Sequence, residues 1–166
     1  MVTEAEASLK TQMFEIYIRA PAEAIWDAIT TPEWTAKYGY RAPCHYELRA
    51  GGAYYVKATP EMKQYGVPDT IIDGEVVEAK APHRLVQSYR WMFTPEQKEE
   101  GFTRVTWEIV PTGAGFCRLT ITHEAGNAPS MAAAIGSKFN NTGGGGWNWI
   151  LSDLKSLLET GKTMAA

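Results

Sequence analysis

The sequence has little that would favour a nucleic acid or a membrane as partner. Its 166 residues carry a net charge of −3 and no basic run, so the electrostatic footprint of a nucleic-acid-binding protein is missing. The longest run of apolar residues, 131–135, is far too short to cross a bilayer. We therefore expect neither nucleic-acid binding nor membrane insertion.

Cysteine is also scarce. Cys44 and Cys117 are far apart and form no CxxC motif, and each falls in a predicted strand, where a small buried apolar residue is the ordinary interpretation. Cys117 and His123 share a strand face, but six strand residues span about 20 Å, too far for joint ligation of one ion. The acidic N-terminus lacks the apolar core of a secretory signal. We expect a cytoplasmic, reduced protein with no metal site and no cofactor.

Motifs for phosphate binding and nucleophilic catalysis are missing as well. The glycine run at 143–146 lacks the Lys-Ser/Thr pair that follows a phosphate-binding loop. Gly161-Lys162-Thr163 has the end of such a motif, but Ser156 stands where its first glycine belongs. No nucleophile elbow is present. The glycine run is interpreted as a loop, or as a flexible closure beside a cavity mouth.

The strongest pattern that is present is an amphipathic helix near the C-terminus. Its apolar residues recur at helical spacing, at positions 147, 150, 151, 154, 157 and 158. Polar residues, Asp153 among them, fall on the opposite side. Thr142 is the predicted N-terminal cap, and Gly161 is predicted to end the helix. A helix this one-sided needs a broad apolar partner.

Most of the preceding chain alternates with the period of two that is typical of strands. The predicted strands cover 12–19, 44–49, 53–58, 70–79, 85–93, 105–109 and 117–124. After the first strand, Pro21 opens a helix, and a second short helix is predicted to hold Trp34 and Tyr38. Segments 59–69 and 94–101 are predicted loops, and 130–139 is a further candidate helix. Successive strands at hairpin spacing, with helices near the beginning and at the end, predict an antiparallel α+β domain.

Several short motifs together resemble a known family. They are APAEAIWDAIT at 20–30, RAGG at 49–52, GEVVE at 74–78, APHRL at 81–85, LTITH at 119–123, and the helix at 146–159. In this order the chain resembles the activator of heat-shock-protein ATPase-like branch of the SRPBCC superfamily. The resemblance implies a helix-grip fold, in which a curved antiparallel sheet wraps around the long C-terminal helix. The predicted division is a flexible N-terminus at 1–11, one domain at 12–162 and a tail at 163–166.

The resemblance also implies a cavity between sheet and helix that in many relatives receives an apolar small molecule. Large side chains on alternate strand positions, and others near the helices, are candidates to line it. The predicted ligand-binding residues are Trp34, Tyr38, Tyr54, Val56, Tyr89, Trp91, Trp107, His123 and Trp147. The alternative is that these side chains fill the core, and for Trp107 and Trp147 individually the core interpretation is favoured.

Catalysis has one main candidate, His123, at the end of the last predicted strand. Its pKa near neutrality suits a general acid or base, but a histidine bonded to the backbone at a strand end is the alternative. Asp73 and Glu75 are weaker candidates. Three functions stay open: binding of an apolar small molecule, an enzyme of the cyclase, dehydratase or isomerase type, and a co-chaperone-like domain that contacts a chaperone. Whether the protein forms a homodimer is also left open.

Overall fold

The computed structural model describes residues 11–135 and 145–165. In the described part of the chain, seven strands form one antiparallel sheet in the spatial order β1-β7-β6-β5-β4-β3-β2. The strands are β1 Thr11–Ile18, β2 Cys44–Tyr46, β3 Ala53–Lys57, β4 Thr70–Lys80, β5 Arg84–Trp91, β6 Thr103–Pro111 and β7 Cys117–Glu124. Apart from β1, which pairs with β7, every strand pairs with its neighbours in sequence, as hairpin spacing predicts.

Within 11–135 and 145–165, six helices accompany the sheet. They are α1 Ala22–Thr30, α2 Pro32–Thr35, α3 Pro60–Lys63, α4 Pro95–Glu100, α5 Pro129–Ile135 and α6 Gly146–Thr160. The α+β class, the curved sheet, the long C-terminal helix and the two short helices after the first strand are confirmed. Tyr38, which was predicted to lie in the second short helix, instead follows its end, and its hydroxyl donates to the Ala28 carbonyl at 2.7 Å.

Helix α6 packs its apolar side against the sheet. Trp147, Leu151 and Leu154 are buried, and the Trp147 ring contacts residues of three strands. Further along, the Lys155 ammonium donates to the Tyr17 carbonyl of β1 at 2.7 Å. The helix therefore crosses the sheet from its centre towards its β1 edge.

The two ends of α6 differ in how well the sequence predicted them. Gly161 ends the helix in the left-handed conformation, with φ of 78°, and its N–H donates to the Leu157 carbonyl, as predicted. The proposed cap Thr142 lies outside the described residues, and the cap position of α6 is occupied by Gly145, so that prediction was wrong. The structure also does not describe residues 1–10, 136–139 of the predicted helix 130–139, the first two residues of the glycine run, and Ala166.

The position of Asp153 in the amphipathic pattern predicts an exposed side chain, but the structure does not place it on an exposed helix face. Its side chain is buried, with 1% exposure. One carboxylate oxygen accepts from the Gly39 N–H at 2.8 Å, and the other accepts from the Met164 N–H at 2.7 Å. Asp153 is buried because two chain segments fold over the polar side of α6 and bring backbone donors to it.

Two segments predicted as loops contain short helices. Helix α3 lies in the predicted loop 59–69, and α4 lies in the predicted hairpin loop 94–101. In each, a threonine caps the helix by accepting a backbone N–H at 3.2 Å, and a proline follows at the first helical position. Within the described ranges, no helix is long and apolar enough to cross a membrane.

Candidate ligand-binding cavity

A cavity of about 470 Å³ lies between the sheet and α6. Strands β2 to β6 contribute to its lining, together with the segment between α2 and β2, the start of α6 and residues of the other helices. Its described lining residues are Ile29, Thr35, Tyr38, Gly39, Tyr40, Arg41, Ala42, Cys44, Tyr46, Tyr54, Val56, Met62, Ile71, Ile72, Tyr89, Trp91, Phe93, Gln97, Trp107, Ala134, Ile135, Gly146, Trp147 and Ile150. Small-molecule sites in proteins typically have volumes of about 300–1,000 Å³, so this space suits a small ligand.

Seven of the nine predicted ligand-binding residues line this cavity. They are Tyr38, Tyr54, Val56, Tyr89, Trp91, Trp107 and Trp147. Trp107 and Trp147 are also buried. The other two predicted residues, Trp34 and His123, are not among the lining residues.

A continuous series of aromatic rings forms one wall. Tyr46 and Tyr54 have ring centroids 4.6 Å apart, and Tyr54 stacks on Tyr89 at 6.1 Å. The series continues from Tyr89 to Trp147 at 5.7 Å, and from Trp147 to Trp107 at 5.5 Å with nearly perpendicular planes. Such a wall presents ring faces and ring edges, which are the two geometries that an aromatic ligand uses against aromatic side chains.

Burial keeps three phenols and one thiol of the cavity wall in the neutral form. Burial raises the pKa of the phenols of Tyr46, Tyr54 and Tyr89, and it raises the pKa of the Cys44 thiol to about 12. Desolvation is the largest cause in each case, because removing a group from water disfavours its charged form. The inner surface is therefore apolar and uncharged, with hydroxyl groups available as neutral hydrogen-bonding groups.

Few polar groups are left to orient a ligand. Tyr46 donates to the buried Gln87 side chain at 2.9 Å, and the Trp91 N–H donates to the Tyr89 hydroxyl at 3.3 Å. The indole N–H of Trp107 and the side-chain oxygen of Gln97 have no hydrogen-bond partner among the described residues. A buried polar group without a partner carries a desolvation cost of about 1–3 kcal/mol.

His123 lies behind the aromatic wall and is fully buried. The Trp147 indole N–H donates to Nδ1 at 3.1 Å. Because tryptophan is a donor only, Nδ1 must be unprotonated, and the proton of the neutral ring lies on Nε2. Nε2 lies 2.8 Å from the Thr103 hydroxyl, which itself donates to the Tyr89 carbonyl at 2.8 Å. Both ring nitrogens are thus bonded to the protein.

This environment fits a structural histidine better than a catalytic one. Burial lowers the pKa of His123 to about 4, so the ring is neutral near neutral pH. Neither nitrogen is free to exchange a proton with a ligand in the cavity. His123 is not among the described lining residues, and the Trp147 and Tyr89 rings lie against it.

The remaining sequence candidates also lie away from the cavity. Trp34 is half-buried on α2, with the Lys37 ammonium 4.5 Å from its ring centroid. The carboxylate of Asp73 accepts two hydrogen bonds from the Arg90 guanidinium, at 2.9 and 2.7 Å. Glu75 is exposed. None of the three lines the cavity.

Sequence reasoning missed several lining residues. Tyr46 could have been predicted, because it lies two residues after Cys44 on the same strand face and pairs across the hairpin with Tyr54. Phe93 continues the alternation of Tyr89 and Trp91 beyond the end of β5. Lining residues outside the strands, such as Arg41, Met62 and Gln97, had no such signal, because no local periodicity connects them to the sheet.

The rim segment 38–42 is held in place by α6. The Gly39 N–H donates to Asp153, and the Gly39 carbonyl accepts from the Trp149 indole N–H at 3.2 Å. The Tyr40 hydroxyl accepts from the Gly146 N–H at 2.7 Å. Since the same Asp153 carboxylate also holds Met164, one buried side chain joins the rim to the C-terminal segment.

Replacing Asp153 by alanine should therefore lower the free energy of unfolding by about 2 kcal/mol, because two backbone N–H groups lose a charged acceptor. The Asp153→Asn variant keeps one side-chain oxygen as acceptor and should lose less. Chemical denaturation of both variants measures the difference. Asp27→Ala, at an exposed position of α1, is the control and should change stability by less than about 0.5 kcal/mol. Equal stability of Asp153→Ala and the control would contradict the assigned role.

Comparison with known proteins identifies the family of this chain. The family model described as activator of Hsp90 ATPase homolog 1-like protein matches residues 19–159. The chain belongs to this family. The match covers every element from α1 to nearly the end of α6, and it confirms the SRPBCC resemblance of the sequence motifs. The comparison with curated proteins found no match.

Solved structures share the fold at low sequence identity. CalU16 from Micromonospora echinospora is 17% identical, with a TM-score of 0.64 over 90% of this chain and 74% of that chain. An Hsp90 activator from Plasmodium falciparum is 18% identical, with a TM-score of 0.54 over 89% and 86% of the two chains. DynU16, from the dynemicin biosynthetic locus, is 20% identical, with a TM-score of 0.60 over 93% of this chain and 49% of that chain. This chain spans about half the length of DynU16.

Proposed function

We propose that this protein binds an apolar, ring-containing small molecule in the cavity between the sheet and α6. The observation that carries the proposal is the space itself, about 470 Å³ walled by aromatic side chains rather than filled by them. Burial keeps the phenols and the Cys44 thiol neutral, so an apolar ligand body meets no charge on the inner wall. The ring series from Tyr46 to Trp107 supplies stacking and edge contacts.

The neutral fluorescent probe N-phenyl-1-naphthylamine tests this proposal. Its binding should enhance its fluorescence and quench tryptophan emission, because Trp91, Trp107 and Trp147 line the cavity. It should also raise the melting temperature with increasing probe concentration, since a ligand that binds only the folded state stabilises it.

A pair of substitutions on β4 tests where the probe binds. Ile72 lines the cavity, whereas Val77 on the same strand is 47% exposed. Ile72→Phe should occupy part of the space and weaken probe binding by about tenfold, and Val77→Phe should change it by less than about twofold. Equal affinity of both variants would show that the probe binds elsewhere, and the proposal would fail.

The enzyme alternative has less support. Both nitrogens of His123 are engaged with the protein, and no aspartate or glutamate is among the described lining residues. A tyrosine remains as proton donor, and Tyr89 is the best placed, because it lines the cavity and its raised pKa keeps the phenol protonated. A reaction that needs only one neutral donor is compatible with this arrangement, whereas paired acid and base catalysis is not.

A second candidate is a co-chaperone-like role. It is favoured by the family match and by the fold shared with the Plasmodium falciparum Hsp90 activator. Addition of the protein to purified Hsp90 should then accelerate ATP hydrolysis, and the acceleration should persist in Ile72→Phe if the contact is made by the outer surface. Probe binding without any effect on Hsp90 would favour small-molecule binding over the co-chaperone-like role.

A further inference from the structure

Arg41 differs from every other described residue of the cavity lining. It is the sole lysine, arginine, aspartate or glutamate among them, and it lies on the rim segment between α2 and β2. Its side chain is exposed, in contrast to the buried phenols deeper in the cavity. The cavity therefore combines an uncharged interior with one cation at its rim.

The Arg41 guanidinium has no carboxylate partner within 11–135 and 145–165. Its hydrogen bonds go to two neutral oxygens, the Ala165 carbonyl at 3.0 Å and the Thr163 hydroxyl at 3.5 Å. Most arginines of the chain are paired with acidic side chains instead. These are Arg49, Arg84, Arg90, Arg104 and Arg118. Arg41 thus keeps its capacity to bind an anion.

The backbone at Arg41 is unusual as well. Its φ is 61°, and in the part of the chain that the structure describes no other residue except glycine has a positive φ. A residue with a side chain adopts this conformation only where surrounding contacts hold it. Here the Arg41 N–H donates to the Tyr38 carbonyl at 3.0 Å, and Gly39 is held by Asp153 and Trp149. These contacts fix the Arg41 backbone at the cavity rim.

We propose that the ligand carries one anionic group on its ring-containing body, and that Arg41 binds this group at the rim. This inference rests on the proposed binding function and specifies its ligand. A guanidinium presents several N–H donors in one plane and matches the oxygens of a carboxylate or sulfonate. At the exposed rim the anion stays partly hydrated, while the rings enter the uncharged interior. The pairing therefore orients the ligand without burying its charge.

Two probes that share one body separate charge from shape. N-phenyl-1-naphthylamine is neutral, and 1-anilinonaphthalene-8-sulfonate adds a sulfonate to the same phenylnaphthylamine rings. The wild-type protein should bind both at one site, so that each probe displaces the other. About 0.5 M NaCl should weaken binding of the sulfonate probe and leave the neutral probe unchanged, because salt screens an exposed ion pair.

Arg41→Asn is the informative variant, because asparagine tolerates a positive φ and removes the charge without added backbone strain. It should lower the affinity for the sulfonate probe by about tenfold and the affinity for the neutral probe by less than about twofold. Arg49→Asn removes an exposed arginine outside the cavity lining and should leave both affinities unchanged. The melting temperature of each variant shows whether it is folded, and the salt dependence of the wild type needs no variant.

The outcomes distinguish this inference from the function on which it rests. If the neutral probe does not bind the wild type, the binding function itself fails. If it binds, but the sulfonate probe is insensitive to salt and to Arg41→Asn, only the anion site is overturned. The anion site is likewise overturned if Arg41→Asn lowers the affinity for both probes equally, since Arg41 then maintains the shape of the rim. Failure of the two probes to compete would place the anion outside the cavity.

Discussion

Replacing Leu154 by alanine should lower the free energy of unfolding by about 2–5 kcal/mol. Leu154 lies on α6 with 0% exposure, in the same buried cluster as the apolar residues of β1 and β7. Truncation removes buried methyl groups and leaves a cavity that the packed surroundings fill only in part. Chemical denaturation of the variant and the wild type, with unchanged dependence on denaturant, measures the effect.

Leu48→Ala is the matched control for this loss. Leu48 is 43% exposed, outside α6, and the same truncation there should cost less than about 0.5 kcal/mol. A change that small at Leu154 would contradict the packing of α6 against the sheet as a main source of stability.

Acid should destabilise the wild type more than a His123→Gln variant. The folded protein holds His123 with a pKa of about 4, whereas the unfolded chain has the ordinary value of 6.5. As the pH falls below 6.5, the unfolded state binds the proton first, so the stability from neutral His123 is present above that pH and is lost towards pH 4. The loss should reach about 3 kcal/mol relative to the variant.

Glutamine suits this comparison because its side chain can accept from Trp147 and donate to Thr103 without titrating in this range. Denaturation at a series of pH values should give two stability curves that are parallel above neutrality and converge or cross as the pH falls. Curves that stay parallel down to pH 4 would show that the His123 ring is not held neutral by burial, and its assignment as a structural residue would be withdrawn.

Three helices begin with Thr-Pro-Glu, a local helix-start signal, but only one of them was predicted. The same three residues start α2 at Thr31, α3 at Thr59 and α4 at Thr94. The short helix α2 was predicted from the sequence, whereas the other two segments were predicted as loops. Threonine as cap and proline at the first helical position favour a helix in all three places, so α3 and α4 were predictable.

The roles of Asp153 and His123 were not predictable in this way. Asp153 has a polar position in the helical pattern, and its burial depends on Gly39 and Met164, of which Gly39 lies 114 residues away. The partners of His123 come from β6 and from α6. Such contacts have no sequence period, because a hydrogen bond depends on where two distant segments meet rather than on the spacing within either.

The sequence by itself determined most of the elements and which of their faces are apolar. Alternation along a strand and recurrence every three to four residues along a helix follow from backbone geometry, so Tyr54, Val56, Tyr89 and Trp91 could be assigned to one face. Only the tertiary structure decided that this face borders a space instead of a filled core, that Arg41 lies at its rim, and that His123 lies behind the wall. The physical reason is that packing depends on the separation and curvature of whole layers, which no local pattern encodes.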